Sequence, residues 1–189
     1  MFFSVYSKIK IINLFSVFFI IYFLSYPSYP QNGDNSGILN SNEQIKAEYG
    51  NWLQICENEK NQCVGVQFAL DVQGERAARF IIERINQNSE TVADSLITIF
   101  IPYDSIVPIL PNGITLAVDS AEPFTEQFLF CDQLGCTSQF GLTKQGIDLF
   151  MNGANLAIYM IDIRNPNNKF IVDVDLDNFG KVYNSIIPK

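Results

Sequence analysis

The sequence contains no histidine. That removes the commonest general base at neutral pH and the commonest metal ligand, so His-based catalytic triads and most zinc sites are excluded. Bases are scarce as well. The first 33 residues hold Lys8 and Lys10 and no acid, which leaves 20 acids against 10 bases in the remainder, a net charge of about −10. Such a surface repels nucleic-acid phosphates and anionic lipid, so neither is expected as a partner. No Cys-x-x-Cys and no Gly-x-Ser-x-Gly occurs, which leaves no thioredoxin-like redox pair and no nucleophile elbow. Without histidine a nucleophilic serine would need lysine as its base.

The amino terminus has a clear organisation. Met1–Lys10 is short and basic, Ile11–Leu24 is an apolar run of 14 residues, and Ser25–Pro30 breaks it with tyrosine and proline. The run is shorter than the ~20 residues of a membrane span. The pattern predicts a secretory signal peptide over residues 1–30, cleaved between Ser28 and Gln31, with an uncleaved N-terminal anchor as the rival reading. No integral membrane segment is expected beyond it. Residues 31–46 carry turn-formers and no apolar periodicity, and read as a flexible linker.

Residues 47–189 read as one folded domain. Short apolar runs separated by turn signals follow one another: Tyr49–Glu57, Gln62–Asp71, Ala77–Ile85, Leu96–Ile101, Ile114–Asp119, Thr125–Cys131, Cys136–Phe140, Ala154–Ile163 and Lys169–Leu176. In the second, Val64, Val66, Phe68 and Leu70 alternate along one face. Leu96–Ile101 is nearly all apolar, as in a strand covered on both faces. Two short helices are expected. Thr143 caps the first, in which Ile147, Phe150 and Met151 share a face and Gly153 marks the stop; Asp177 caps the second, with Phe179, Val182, Tyr183 and Ile186 in one stripe. The fold class is mainly β, an antiparallel β-sandwich with one or two short helices.

Four cysteines permit three pairings. Cys56 and Cys63 stand at the mouth of one hairpin, Cys131 and Cys136 at the mouth of another. Residues opposed across antiparallel strands lie within the Cα separation a disulfide tolerates, so geometry favours Cys56–Cys63 and Cys131–Cys136. A zinc site with these spacings fits no familiar ligand pattern. Two disulfide-closed hairpins imply an oxidising compartment.

Other candidates are weaker. Asp173, Asp175 and Asp177 alternate, but a calcium loop of the EF-hand type needs glycine where Asn178 stands and an acid where Asn184 stands, so a solvated strand face fits them better. Asp119, Glu122 and Asp132 are the acids from which a carboxylate pair for hydrolysis would be drawn, and no spacing singles them out. Trp52, the lone tryptophan, reads as core rather than a ligand platform. The loop Tyr103–Pro111 is either an exposed interaction surface or a buried crossover.

The order of features Tyr49-Gly-Asn-Trp52-x-x-x-Cys56, the Cys63 strand, Leu110-Pro-Asn-Gly113-Ile-x-Leu-x-Val118-Asp119, Glu122-Pro123-x-x-x-x-Phe128, Cys131-x-x-x-Gly135-Cys136 and Leu176-Asp-Asn-Phe179 resembles the invasion-associated locus B family. It covers about Tyr49 to Ile187. The chain departs from the family pattern at Asn51, where Asp is commoner, and in its Asn-rich linker. The resemblance implies an exported bacterial envelope protein, linked in some members to host-cell invasion, and it transfers no catalytic residue and no cofactor. The expectation is a non-enzymatic protein acting by binding an unidentified protein or envelope partner, in the periplasm or at the cell surface. The alternatives are a periplasmic enzyme or enzyme inhibitor using acidic loop residues, and a structural envelope component.

Overall fold

A computed structural model describes residues 42–58, 62–86 and 93–186. The signal peptide or anchor, and residues 31–41 of the linker, lie outside these. Among the described residues eleven strands and two α-helices follow in the order β1 (Glu43–Tyr49), β2 (Trp52–Glu57), β3 (Cys63–Asp71), β4 (Arg76–Arg84), β5 (Ser95–Pro102), β6 (Ile114–Val118), β7 (Phe124–Glu126), β8 (Phe128–Cys131), β9 (Gly135–Leu142), α1 (Lys144–Asn152), β10 (Asn155–Ile161), β11 (Lys169–Asp175) and α2 (Phe179–Ser185). Among the described residues no helix is long and apolar enough to cross a membrane.

All strands join one antiparallel sheet, in the order β7-β6-β10-β11-β3-β4-β5-β9-β8, with β2 beside β3 and β1 beside β2. β7 and β8 end that order on opposite sides, yet only Gln127 separates them in sequence. A single residue spans the gap because the sheet curls until its two ends meet. Phe124 of β7 then packs edge-on against Phe140 of β9 at 5.9 Å. The mainly antiparallel β fold with two short helices stands as expected. Its two facing layers are parts of one nearly closed, barrel-like sheet.

The interior of the curl holds the core. Trp52 is fully buried and meets Phe80 at 5.8 Å and Phe179 at 5.4 Å. Phe150 closes the ring, 6.2 Å from Phe80 and 5.6 Å from Phe179. Each helix therefore contributes one phenylalanine to the aromatic cluster around Trp52. Edge-to-face pairs of this kind add about 0.5–1.5 kcal/mol each beyond burial.

Several local expectations need correction. β1 begins at Glu43, inside the stretch read as linker, and the run Tyr49–Glu57 is broken by a tight turn in which Gly50 takes φ +64°. On β3 the alternating Val64, Val66, Phe68 and Leu70 share one face, on which Val66 is fully buried, Val64 and Phe68 are half-buried and Leu70 is exposed. Gly65, Gln67 and Ala69 face the core, opposite Ile82, Phe80 and Ala78 of β4. Bulky partners explain the small residues, since a Cβ on Gly65 would crowd Ile82, Val182 and Ile186. On α1 the Thr143 hydroxyl accepts from the Gly146 amide, while Met151 turns to solvent and only Ile147 and Phe150 are buried. Gly153 ends that helix in extended backbone. Its need for glycine is packing, because a Cβ there would press on Val118 and Leu176. On α2 the cap position belongs to Asn178, in left-handed backbone with φ 62°, rather than to Asp177.

One join in the sheet is made by a side chain. β11 pairs with β3 only at Val172–Asp71 and Asp173–Leu70, and then the two strands diverge. Across the opening the buried Gln67 amide donates from Nε2 to Asp175 O (2.8 Å) and accepts from Asp175 N at Oε1 (2.7 Å). It thereby supplies both hydrogen bonds of a missing backbone pair. Trp52 Nε1 donates to the same carbonyl at 2.9 Å.

Both hairpins are closed as expected, Cys56–Cys63 with Cα atoms 4.0 Å apart and Cys131–Cys136 with 4.1 Å. Each bridge closes a short loop, so its stabilisation by chain entropy is only about 2 kcal/mol. A Cys56→Ser, Cys63→Ser double variant is expected to remain folded and to unfold at lower urea, a loss of about 2 kcal/mol by equilibrium denaturation.

Candidate functional site

The acids raised as catalytic candidates serve separate turns. Asp119, in left-handed backbone with φ 47°, accepts from the amides of Ala154 and Asn155 at 2.9 and 3.0 Å and so ties the end of β6 to the start of β10. Asp132 accepts from the amides of Leu134 and Gly135 at 2.7 and 3.2 Å within its own hairpin turn. Glu122 is exposed in the β6–β7 loop. Of the alternating aspartates, Asp173 accepts from Asn155 Nδ2, while Asp175 accepts from Asn51 Nδ2 and from the Asp177 amide. Asp173 and Asp175 border a cleft of about 280 Å³ shared with Phe68, Leu70 and Arg76, where Arg76 stacks on Phe68 at 4.5 Å. Among the described residues no three Cys, Asp or Glu side chains converge as a metal would require.

The loop Tyr103–Pro111 is mixed, with Ile106 and Pro108 buried and Asp104, Leu110 and Pro111 exposed. Ile106 is fully buried, the Ile109 amide donates to Ile161 O at 3.0 Å, and the Ile163 amide donates to Val107 O at 2.9 Å. Its first residue has a different neighbour. The Tyr103 amide donates to Leu134 O at 3.0 Å, and the Tyr103 hydroxyl sits 3.6 Å from Cys136 Sγ. The loop thus braces the β8–β9 hairpin.

That hairpin carries the most conspicuous unpartnered apolar surface of the described residues. Leu129 is 61% exposed, Phe130 53% and Leu134 72%. Alternation along a strand should send one of Leu129 and Phe130 inward. A β-bulge prevents it: Phe128 pairs with Ser138 and Phe130 with Thr137, leaving Leu129 as the extra residue. Bulges re-aim side chains in this way beside functional sites. The hairpin is held stiff behind them by the Cys131–Cys136 bridge, the Asp132 turn, and the close seating of Gly135 on Ile101 O and Pro102, where a Cβ would collide. On its other side β8 has no strand partner among the described residues. Contiguous exposed apolar side chains on a free edge are the signature of an interaction site.

Just before the hairpin, burial raises the Glu126 carboxyl above the usual carboxylate range. A pKa raised in the folded state means ionisation opposes folding: the contribution is favourable below the unfolded value and is lost as pH rises through the folded one. Glu126→Gln is therefore expected to raise the melting temperature slightly at neutral pH and to leave it unchanged near pH 3, read by thermal scans at the two pH values.

The invasion associated locus B (IalB) protein family matches residues 52–187. The chain belongs to the IalB family. Among solved structures, invasion associated protein B from Bartonella henselae shares the IalB fold with a TM-score of 0.59 at 17% identity, over 75% of this chain and 95% of that one. No curated protein matches the chain. The family match takes in Trp52, all four cysteines, the bulged β8 and both helices.

Sequence reasoning located the hairpin through its cysteines but missed Leu129, Phe130 and Leu134 as its exposed surface. Gln67 was missed entirely. The available signal was a polar residue on an inward strand position between Gly65 and Ala69.

Proposed function

We propose that this IalB-family chain is an exported envelope protein that acts by binding rather than catalysis, in the periplasm or at the cell surface, with host-cell components among its contacts. The observation that carries this reading is the β8–β9 hairpin, rigidly stapled and presenting Leu129, Phe130 and Leu134 to solvent. Soluble domains rarely leave such a cluster uncovered unless something binds it. Two short-range disulfides support an oxidising compartment. The name of the Bartonella protein, invasion associated, supports the host-cell part. A non-enzymatic role is supported by the engagement of Asp119 and Asp132 with backbone amides, which leaves them as turn anchors.

Fractionation of bacterial cells expressing the full chain, followed by mass spectrometry of non-reduced peptides, tests the reading. The chain is expected in the envelope or the medium, with Cys56–Cys63 and Cys131–Cys136 intact. Recovery from the cytoplasm with four free thiols would overturn it.

A further inference from the structure

The free edge of β8 limits what can bind there. Its outward row of backbone amides and carbonyls is unpaired by any strand of the described residues, and such a row templates one more strand. Phe130 and Leu129 lie on that strand, and Leu134 is exposed in the turn that follows it. An incoming strand therefore meets apolar side chains at its centre.

Charge sets the rest of the specification. Between Arg84 and Lys144 the sequence has seven acids and no Lys or Arg. That stretch includes β5, β6, β7, β8, β9 and the Tyr103 loop, so every strand beside the hairpin lacks a base. Asp104, Glu126 and Asp132 lie closest in sequence to the exposed apolar residues and their brace. Arg164 reaches the Tyr103 loop from elsewhere in the chain, donating from Nη2 to Ser105 O at 3.0 Å, and is neutralised by Asp162 at 2.6 Å. A second copy of this chain would bring the same acids against themselves, and like charges in juxtaposition disfavour it. A strand flanked by Lys or Arg would be attracted instead.

We infer that β8 docks an extended segment of a partner protein by strand addition, and that the segment is apolar at its centre and basic at its ends. This rests on the binding role proposed above and names the kind of partner that role requires. Backbone hydrogen bonds from β8 supply register, Leu129, Phe130 and Leu134 supply burial, and the surrounding acids draw the basic ends.

Selection of random displayed peptides on the oxidised full chain tests it. Enriched peptides are expected to alternate valine, isoleucine or aromatic residues and to carry Lys or Arg at their ends. A synthetic peptide of the enriched sequence should bind at least about tenfold more weakly to Phe130→Asp than to the native chain. The same loss is expected when alternate peptide amides are N-methylated, which removes strand hydrogen bonds without removing side chains. Phe130 is half exposed, so the variant should keep the native melting temperature. Leu129→Asp serves as a second variant should Phe130→Asp fail to fold. Peptides without basic ends, binding indifferent to N-methylation or to either substitution, no enriched peptide, or concentration-dependent dimerisation of the native chain lost in Phe130→Asp would each overturn strand addition to this kind of partner. These outcomes leave the compartment and disulfides measured by fractionation untouched, so the two failures are distinguishable.

Discussion

Trp52→Ala is expected to destabilise the domain by about 3–5 kcal/mol, the range for emptying a buried aromatic site. The side chain is fully buried and touches Phe80 on the sheet and Phe179 on α2, so its loss opens the place where strand and helix layers meet. Its indole nitrogen also leaves Asp175 O with one donor fewer. Trp52→Phe separates the two effects, because it keeps most of the packing and removes the donor. It should cost about 1–2 kcal/mol, one hydrogen bond and a small cavity, since Asp175 O keeps its bond from Gln67. Urea denaturation followed by circular dichroism measures both. A loss below about 1 kcal/mol for Trp52→Ala would contradict the core assignment.

Gln67→Leu is expected to cost about 2–4 kcal/mol, although the new side chain is apolar and of similar volume. Gln67 holds both main-chain groups of Asp175, donating to the carbonyl and accepting from the amide. Leucine strands that amide while the carbonyl keeps its bond from Trp52. Because the two side chains share one carbonyl, the Trp52→Phe, Gln67→Leu pair should be non-additive. Hydrogen exchange at the Asp175 amide should rise sharply in Gln67→Leu and only modestly in Trp52→Phe. An exchange rate unchanged in Gln67→Leu would show that the amide has another partner.

These two residues also mark where sequence reading succeeds and where it stops. Trp52 was legible as core because a large apolar ring next to a strand start has few alternatives. Gln67 was not, since polar side chains usually face water and the alternation of Val64, Val66, Phe68 and Leu70 drew attention to the opposite face of the strand. That face of β3 buries Val66 and half covers Val64 and Phe68, while the face toward the aromatic core is crowded by Phe80, Ile82 and α2 and accepts only small or hydrogen-bonded side chains. The two disulfides were legible because cysteines at both mouths of a short hairpin have one geometrically easy pairing. Closure of the sheet was not, because it depends on β7 and β8 lying at opposite ends of the strand order. The exposed surface was hidden by the bulge at Leu129, which breaks the alternation from which inward and outward positions are read.

The fold and the proposed role meet in the hairpin. β8 ends the strand order with no strand on its outer side among the described residues, the Cys131–Cys136 bridge and Tyr103 hold it stiff, and the bulge turns two consecutive apolar side chains outward. Rigid presentation lowers the entropic cost of binding, which is what a small, acidic domain needs to bind through so few residues.

The most direct measurement of binding through this surface is site-specific photo-crosslinking in intact cells, with a photoreactive side chain placed at Phe130 or, as a control, at Ile163. Ile163 is 59% exposed on the β10–β11 turn, so both positions are equally open to chance encounters. Discrete adducts at Phe130 and none at Ile163 are the predicted result. Equal labelling at the two positions, or none at Phe130, would contradict binding through the hairpin.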